Sequence, residues 1–203
     1  MKTLSTQALS LLLLLVTAVF PLFPLLSAAT VMTEAHTPAP SPSPAGFIRS
    51  VCKLTKDDAD VCYSSISPYA NVINQNVNSL CCVGLTLAQS EARRVTTYVS
   101  GLKGRFSSTC NFVLGVAINQ TSDSLGTIRQ IAAGKGGDFN FAMDRVLDEM
   151  AAAMTNQDTC MNDFLEEPDG PVKKKALDLL TEAKTFTGIA TAFVYYYSKE
   201  ASP

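Results

Sequence analysis

From residue 47 to residue 197 the apolar positions recur three and four apart and strand-like alternation is scarce, which predicts helices throughout. Two short ones come first, around Phe47 to Lys53 and Asp58 to Ile66, with Lys56-Asp57 as the turn between them. A long helix from about Gln75 to Leu102 sets Leu80, Val83, Leu87, Val95, Tyr98 and Leu102 on its inner side, with Gly101 and Gly104 near its end. A second, about Ser107 to Ala133, carries Cys110, Leu114, Ala117, Thr121, Leu125, Ile128 and Ala132 and stops at Gly134. A third, from Asp138 to about Leu165, carries Val146, Met150, Ala153, Gln157, Cys160 and Phe164. The fourth follows Asp169-Gly170 with Pro171 in its first turn, a favoured start. Its stripe is Val172, Ala176, Leu179, Ala183, Phe186, Ala190, Phe193 and Tyr197. Four amphipathic helices of 25 to 29 residues with short joins predict an all-α, up-down-up-down four-helix bundle preceded by a helical hairpin. The stripes read as core, and no cofactor site is expected among them.

The pattern breaks down before residue 47. Residues 1–29 hold one charge, Lys2, then the apolar run Leu9 to Leu26, then Ser27-Ala28-Ala29 ahead of Thr30, which is the build of a secretory signal peptide. An uncleaved membrane anchor is the alternative, since about 18 apolar residues just span a bilayer, but Pro21 and Pro24 interrupt the run. Residues 30–46 are expected to be a proline-rich linker: TPAPSPSPA, 37–45, has proline at every second position, which removes amide donors and favours an extended chain. Its alternating Ala-Pro, Ser-Pro and Thr-Pro resembles the glycomodules of plant arabinogalactan proteins, pointing to a plant cell wall. Residues 47–200 form the expected domain, and with the signal removed nothing else is apolar enough to cross a membrane.

Charge and cysteines narrow the chemistry. Without Lys2 the chain carries 15 Lys and Arg against 18 Asp and Glu, net −3, so a nucleic-acid partner, which wants a basic face, is disfavoured. Nine of the acids lie between 135 and 170 against only Lys135 and Arg145, so that hairpin should be negative. Six cysteines in an exported chain read as disulfide material. No CxxC is present and the one histidine, His36, sits among the prolines, so neither a metal site nor a Cys/His or Ser/His/Asp centre is expected.

Antiparallel helices place residues opposite each other when they are equidistant from the turn. The midpoint of Cys110 and Cys160 is residue 135, inside the turn AGKGG, and the midpoint of Cys52 and Cys62 is residue 57, again a predicted turn. The pairs are therefore Cys52 with Cys62 and Cys110 with Cys160. Cys81 and Cys82 point about 100° apart on a helix and cannot both face the core. They are left as small residues with at least one buried thiol, or as a route to an intermolecular bridge. Measured from Cys160 at 100° per residue, Asp144, Asp148, Ala151, Thr155, Asp158, Thr159 and Asn162 fall on the side away from the bridge, either as a merely solvated face or as a binding one. Asn119 heads the sequon Asn119-Gln120-Thr121 about 180° from Cys110, where it could carry a glycan or stay bare.

CKLTKDDADVC at 52–62, TCNFVLGVAINQTSDSLGTI at 109–128 and AAAMTNQDTCMNDFLE at 151–166 together resemble the plant invertase and pectin methylesterase inhibitor domain over about 47–197. Thr109 stands where the family usually has Asp, Glu149-Met150 where it often has Trp-Leu, and Cys81 and Cys82 are extra. The resemblance implies the same fold and pairing and a protein that is not an enzyme. It would act outside the cell, in the apoplast and cell wall, by laying bundle helices across the cleft of a pectin methylesterase in a 1:1 complex. Asp144, Asp148, Thr155, Asp158, Thr159 and Asn162 are the expected contact residues, and basic esterases meeting the acidic hairpin would gain encounter rate. Acid invertase is the rival target, but its inhibitors carry Pro-Lys-Phe where this chain has Gly137-Asp138-Phe139. A non-inhibitory cell-wall glycoprotein is the third reading. The pro-region of a pectin methylesterase is disfavoured because the sequence stops at Pro203 with no room for a catalytic domain.

Overall fold

The computed structural model describes residues 43–102 and 106–201, all within the unit Ser41–Pro203. The expected signal peptide, His36 and the linker up to residue 42 lie outside the described residues. The described chain is all-helical. A hairpin of α1 (Pro44–Cys52) and α2 (Ala59–Ile66), joined by the 3-10 stretch Lys53–Asp58, leads through a second 3-10 turn, Ser67–Tyr69, and the single-turn α3 (Ala70–Ile73) into the bundle. The bundle helices are α4 (Val77–Ser100), α5 (Phe106–Ala132), α6 (Phe139–Leu165) and α7 (Pro171–Glu200). Each packs on its sequence neighbour and α4 closes the ring against α7, which is the up-down-up-down arrangement.

Helix starts follow from side chains that satisfy the first orphan amides. Asn76 accepts from Ser79 N at 2.8 Å and Asp138 from Phe141 N at 2.8 Å. Ser43 accepts from Gly46 N at 3.1 Å and Pro44 occupies the first turn, so α1 begins inside the expected linker, whose residues 44–46 are helical. At the other end of α5, Gly134 adopts φ 69° and Lys135 N reaches back to Gln130 O at 2.9 Å, a left-handed stop that glycine takes without strain. Lys173, in the first turn of α7, donates to Leu165 O at 3.0 Å and Glu167 O at 2.8 Å and so caps the end of α6.

The core has two apolar halves. One gathers Ile48, Val51, Ile66, Ile73, Leu80, Leu85, Ile128, Met143, Met150 and Phe193 beneath the N-terminal hairpin; the other gathers Val95, Val99, Leu114, Phe164, Leu179 and Leu180 around Cys110 and Cys160. The buried residues that lie between them on each helix are small or polar except for Ile118 on α5: Ala92 on α4, Ala117, Thr121 and Ser124 on α5, Ala153 and Gln157 on α6, Thr187 on α7. The inner face of α4 differs from the expected stripe. Leu80 and Val95 are buried as expected, but Cys81, Gly84, Leu85, Ala88, Ala92 and Val99 complete the face while Val83, Leu87, Tyr98 and Leu102 sit at its edge. At Gly84 α7 comes so close that no side chain fits: a Cβ there would stand 2.7 Å from Phe193 Cδ2 and 3.4 Å from Ala190 Cα. Ala132 and Val172, expected inside, are exposed where α5 ends and α7 begins.

Cys52–Cys62 and Cys110–Cys160 are bonded, with Cα separations of 5.6 and 4.6 Å. Cys81 is a buried free thiol and Cys82 a half-buried one. Burial pushes both thiols up, and for Cys82 the neighbouring Arg129 opposes the rise, so both stay protonated and slow to react near neutral pH.

Removing the bridge by Cys110→Ser should lower unfolding free energy by about 4 kcal/mol, and Cys52→Ser by about 3, because their loops differ in length. Denaturant titration measures both. Gly84→Ala should destabilise by about 1–3 kcal/mol through the clash with Phe193. Gly115→Ala, where a Cβ meets nothing within 4 Å, should stabilise by about 0.5–1 kcal/mol through helix propensity. Opposite signs in paired melts would establish the close α4–α7 contact.

Candidate functional site

The stretch Thr155 to Cys160 reads as a polar surface, yet each residue has its own duty. Cys160 is bonded to α5. Two residues earlier, Asp158 accepts from Lys184 Nζ on α7 at 2.6 Å. Gln157, 1% exposed, donates from Nε2 to Thr187 Oγ1 at 2.9 Å, and Thr187 in turn donates to Ala183 O. Asn156 donates to Gln120 Oε1 on α5 at 3.0 Å. Thr155 and Thr159 return their hydroxyls to their own helix, donating to Ala151 O and Thr155 O at 3.0 Å each. One helical turn and a half therefore fastens α6 to both neighbours, and only the threonines are left facing outward.

That fixes the exposed face of α6. Asp144, Asp148, Thr155, Thr159 and Asn162 are all exposed. Asp158 differs from these: it is half-exposed and ion-paired with Lys184 at the α6–α7 seam. Its position depends on the register between two helices, which α6 alone does not reveal. Glu149 turns toward α5, accepting from the fully buried Ser124 Oγ and from Arg145 Nε, each at 2.9 Å. Its carboxylate is thereby satisfied by a buried hydroxyl. Asp144 and Asp148 stay outward, so the α6 face is negative, though less so than nine acids in the hairpin would suggest.

The expected reading missed two large side chains, Phe112 on α5 and Phe141 on α6, exposed to 72% and 73%. They lie off the apolar stripes, which is the one signal that could have found them. Phe139, by contrast, packs edge-on against Tyr197 at 5.4 Å between ring centres, while Asp138 beside it caps α6. Between α6 and α7 an apolar groove of about 420 Å³ is lined by Leu147, Met154, Gly188, Ala192 and Tyr195, with Leu54 of the N-terminal hairpin at its edge. Asn119 is exposed on the outer side of α5. Among the described residues no cluster of His, Cys, Asp and Glu could hold a metal, and no helix is long and apolar enough to cross a membrane.

Comparison with known proteins agrees with this architecture. A 21 kDa protein of Daucus carota is 29% identical over 178 residues, covering 83% of this chain and 90% of that relative. Pectinesterase inhibitor 11 of Arabidopsis thaliana is 27% identical, covering 76% of this chain and 81% of its own length. Pectinesterase inhibitor 10 of the same plant is 27% identical over 75% of this chain, which spans only 51% of that longer protein. Among solved structures, the crystal structure of mutant form A of a pectin methylesterase inhibitor from Arabidopsis matches with a TM-score of 0.50 at 15% identity, covering 73% of this chain and 95% of that one, a likeness of fold. The profile of plant invertase/pectin methylesterase inhibitors matches residues 46–193, from the first turn of α1 to the buried Phe193 of α7, and the chain belongs to that family.

Proposed function

We propose that this protein is exported and inhibits a pectin methylesterase by lying over its substrate cleft in a 1:1 complex, performing no chemistry itself. The observation that carries the reading is the family match over residues 46–193, joined to relatives named as pectinesterase inhibitors. The outer face of α6 is suited to the task. Its rotation is locked from both sides, so the backbone that presents Thr155, Thr159 and Asn162 needs little ordering on binding. Asp144 and Asp148 favour encounter with a basic enzyme surface more than they add affinity. The groove between α6 and α7 offers an apolar anchor site next to this face.

Acid invertase is the second reading, and one observation weighs against it. Where invertase inhibitors carry Pro-Lys-Phe, Asp138 is spent on capping α6 and Phe139 on packing against Tyr197. The counterpart of that motif is thus used internally. The proline-rich 37–45 stretch favours a cell-wall location, and a non-inhibitory glycoprotein of the wall is the third reading.

Purified protein should abolish pectin methylesterase activity at micromolar excess and mildly acidic pH while leaving acid invertase intact; the reverse result selects the second reading, and no loss in either assay the third. Thr155→Arg and Thr159→Arg should each weaken esterase inhibition at least tenfold, about 1.4 kcal/mol or more. Their melting temperatures should stay within about 2 °C of the parent, since both sites are exposed and Arg is a good helix former. A fall in stability matching the fall in inhibition would place those side chains in the fold and not in the contact.

A further inference from the structure

Phe112 is 72% exposed on a helix whose other described large apolar side chains face inward or lie at its edges, and no contact among the described residues accounts for it. Seven residues on, two turns along the same helix, stands Asn119, the only sequon asparagine in the chain. At 100° and 1.5 Å per residue the two point within about 20° of each other and lie about 10 Å apart along the axis. Between them is Gly115, where a Cβ would meet no atom within 4 Å. The outer side of α5 is thus a lane with an amide at one end, an aromatic face at the other and no side chain at Gly115.

We propose that Asn119 carries an N-linked glycan whose first sugars lie back along α5 over Gly115 and cover Phe112. The C–H face of a sugar ring is weakly electropositive and packs on the negative face of an aromatic ring. A solvated oligosaccharide therefore shields Phe112 at a place where a protein partner is not needed. In the transfer, Asn119 Nδ2 bonds to the anomeric carbon of an oligosaccharide borne on a lipid diphosphate. The sugar–phosphate C–O bond breaks, the lipid diphosphate leaves, and one amide proton is lost to a base of the transferring enzyme.

The fold also sets when this happens. Thr121, which completes the sequon, is 2% exposed, and its hydroxyl donates to Ala117 O at 2.9 Å. A transferase that must read that hydroxyl can do so only before α5 is formed. The sugar is therefore added to the emerging chain and not to the finished bundle.

The modification rests on the export proposed above and is independent of which enzyme is inhibited. The full chain, secreted from a yeast, should carry one N-linked glycan, removed by a peptide-N-glycosidase that leaves a carboxylate at position 119 in peptide maps. Asn119→Gln and Thr121→Val should lose it, and Thr121→Ser should keep it. If the natural leader does not secrete the chain, a yeast leader placed before Thr30 carries the same test, so a failure of export and a failure of the site are told apart. Folded protein made without sugar should not be modified when offered to the transferase and its lipid-linked donor. Phe112→Ala should lower the melting temperature of the glycosylated protein by about 2 °C more than that of the Asn119→Gln protein. A secreted chain with no N-linked glycan at Asn119, modification of the folded protein, or equal losses in both backgrounds would each overturn the proposal.

Discussion

Rotation of α6 about its own axis is the constraint from which the rest of the surface follows. A helix held at one point can roll; α6 is held by a covalent bond at Cys160 and an amide hydrogen bond at Asn156, both to α5, and by an amide hydrogen bond at Gln157 and an ion pair at Asp158, both to α7. The ion pair by itself contributes little, because both partners are more than a third exposed and water screens them. The buried amide contributes more by exclusion: any other rotation would strand a polar group in the core, which costs more than a typical hydrogen bond supplies. Only one outer face is then available, and it contains the residues on which the proposed function depends.

The same amide sits in the narrow zone between the two apolar halves of the core. Alanines at 92, 117 and 153 occupy that level, and small side chains bring backbones close enough for Gln157 to reach Thr187. Gln157 Oε1 is left without a protein partner, so its amide is satisfied on one side only. Such a layer adds less hydrophobic stabilisation than a leucine layer would. It gives register instead, since polar atoms pair at one axial offset while apolar surfaces slide with little penalty.

Much of this was legible in the chain. The bounds of α4 to α7 follow from the recurrence of apolar residues and from Asn76, Asp138, Gly134 and Pro171, because capping is a local property. Both bridges follow from distances to turns. What the pattern concealed depends on neighbours. The inner face of α4 includes Cys81, Gly84, Ala88 and Ala92, too small to stand out in a hydropathy reading, and at Gly84 the approach of Phe193 leaves no room for a side chain. Likewise the pairing of Asp158 with Lys184 and of Ser124 with Glu149 requires the offset between helices, which no single segment contains. Residues 44–46 were hidden by the prolines before them, although Pro44 is at home in a first turn.

Cys81 and Cys82 bear on how the protein is assembled as much as on what it becomes. They leave the ribosome before Cys110, whose proper partner follows fifty residues later. A bridge from Cys82 to Cys110 would close 28 residues instead of 50, a difference of about 0.5 kcal/mol in favour of the wrong bond. Pairing of α4 with α5 removes that temptation, because Ser100 then lies beside Asn111 and Asn78 beside Ile128, which carries the spare thiols to the far end of the bundle. In the docked bundle the spare thiols and Cys110 are therefore kept apart, and the helix register itself disfavours the wrong bond.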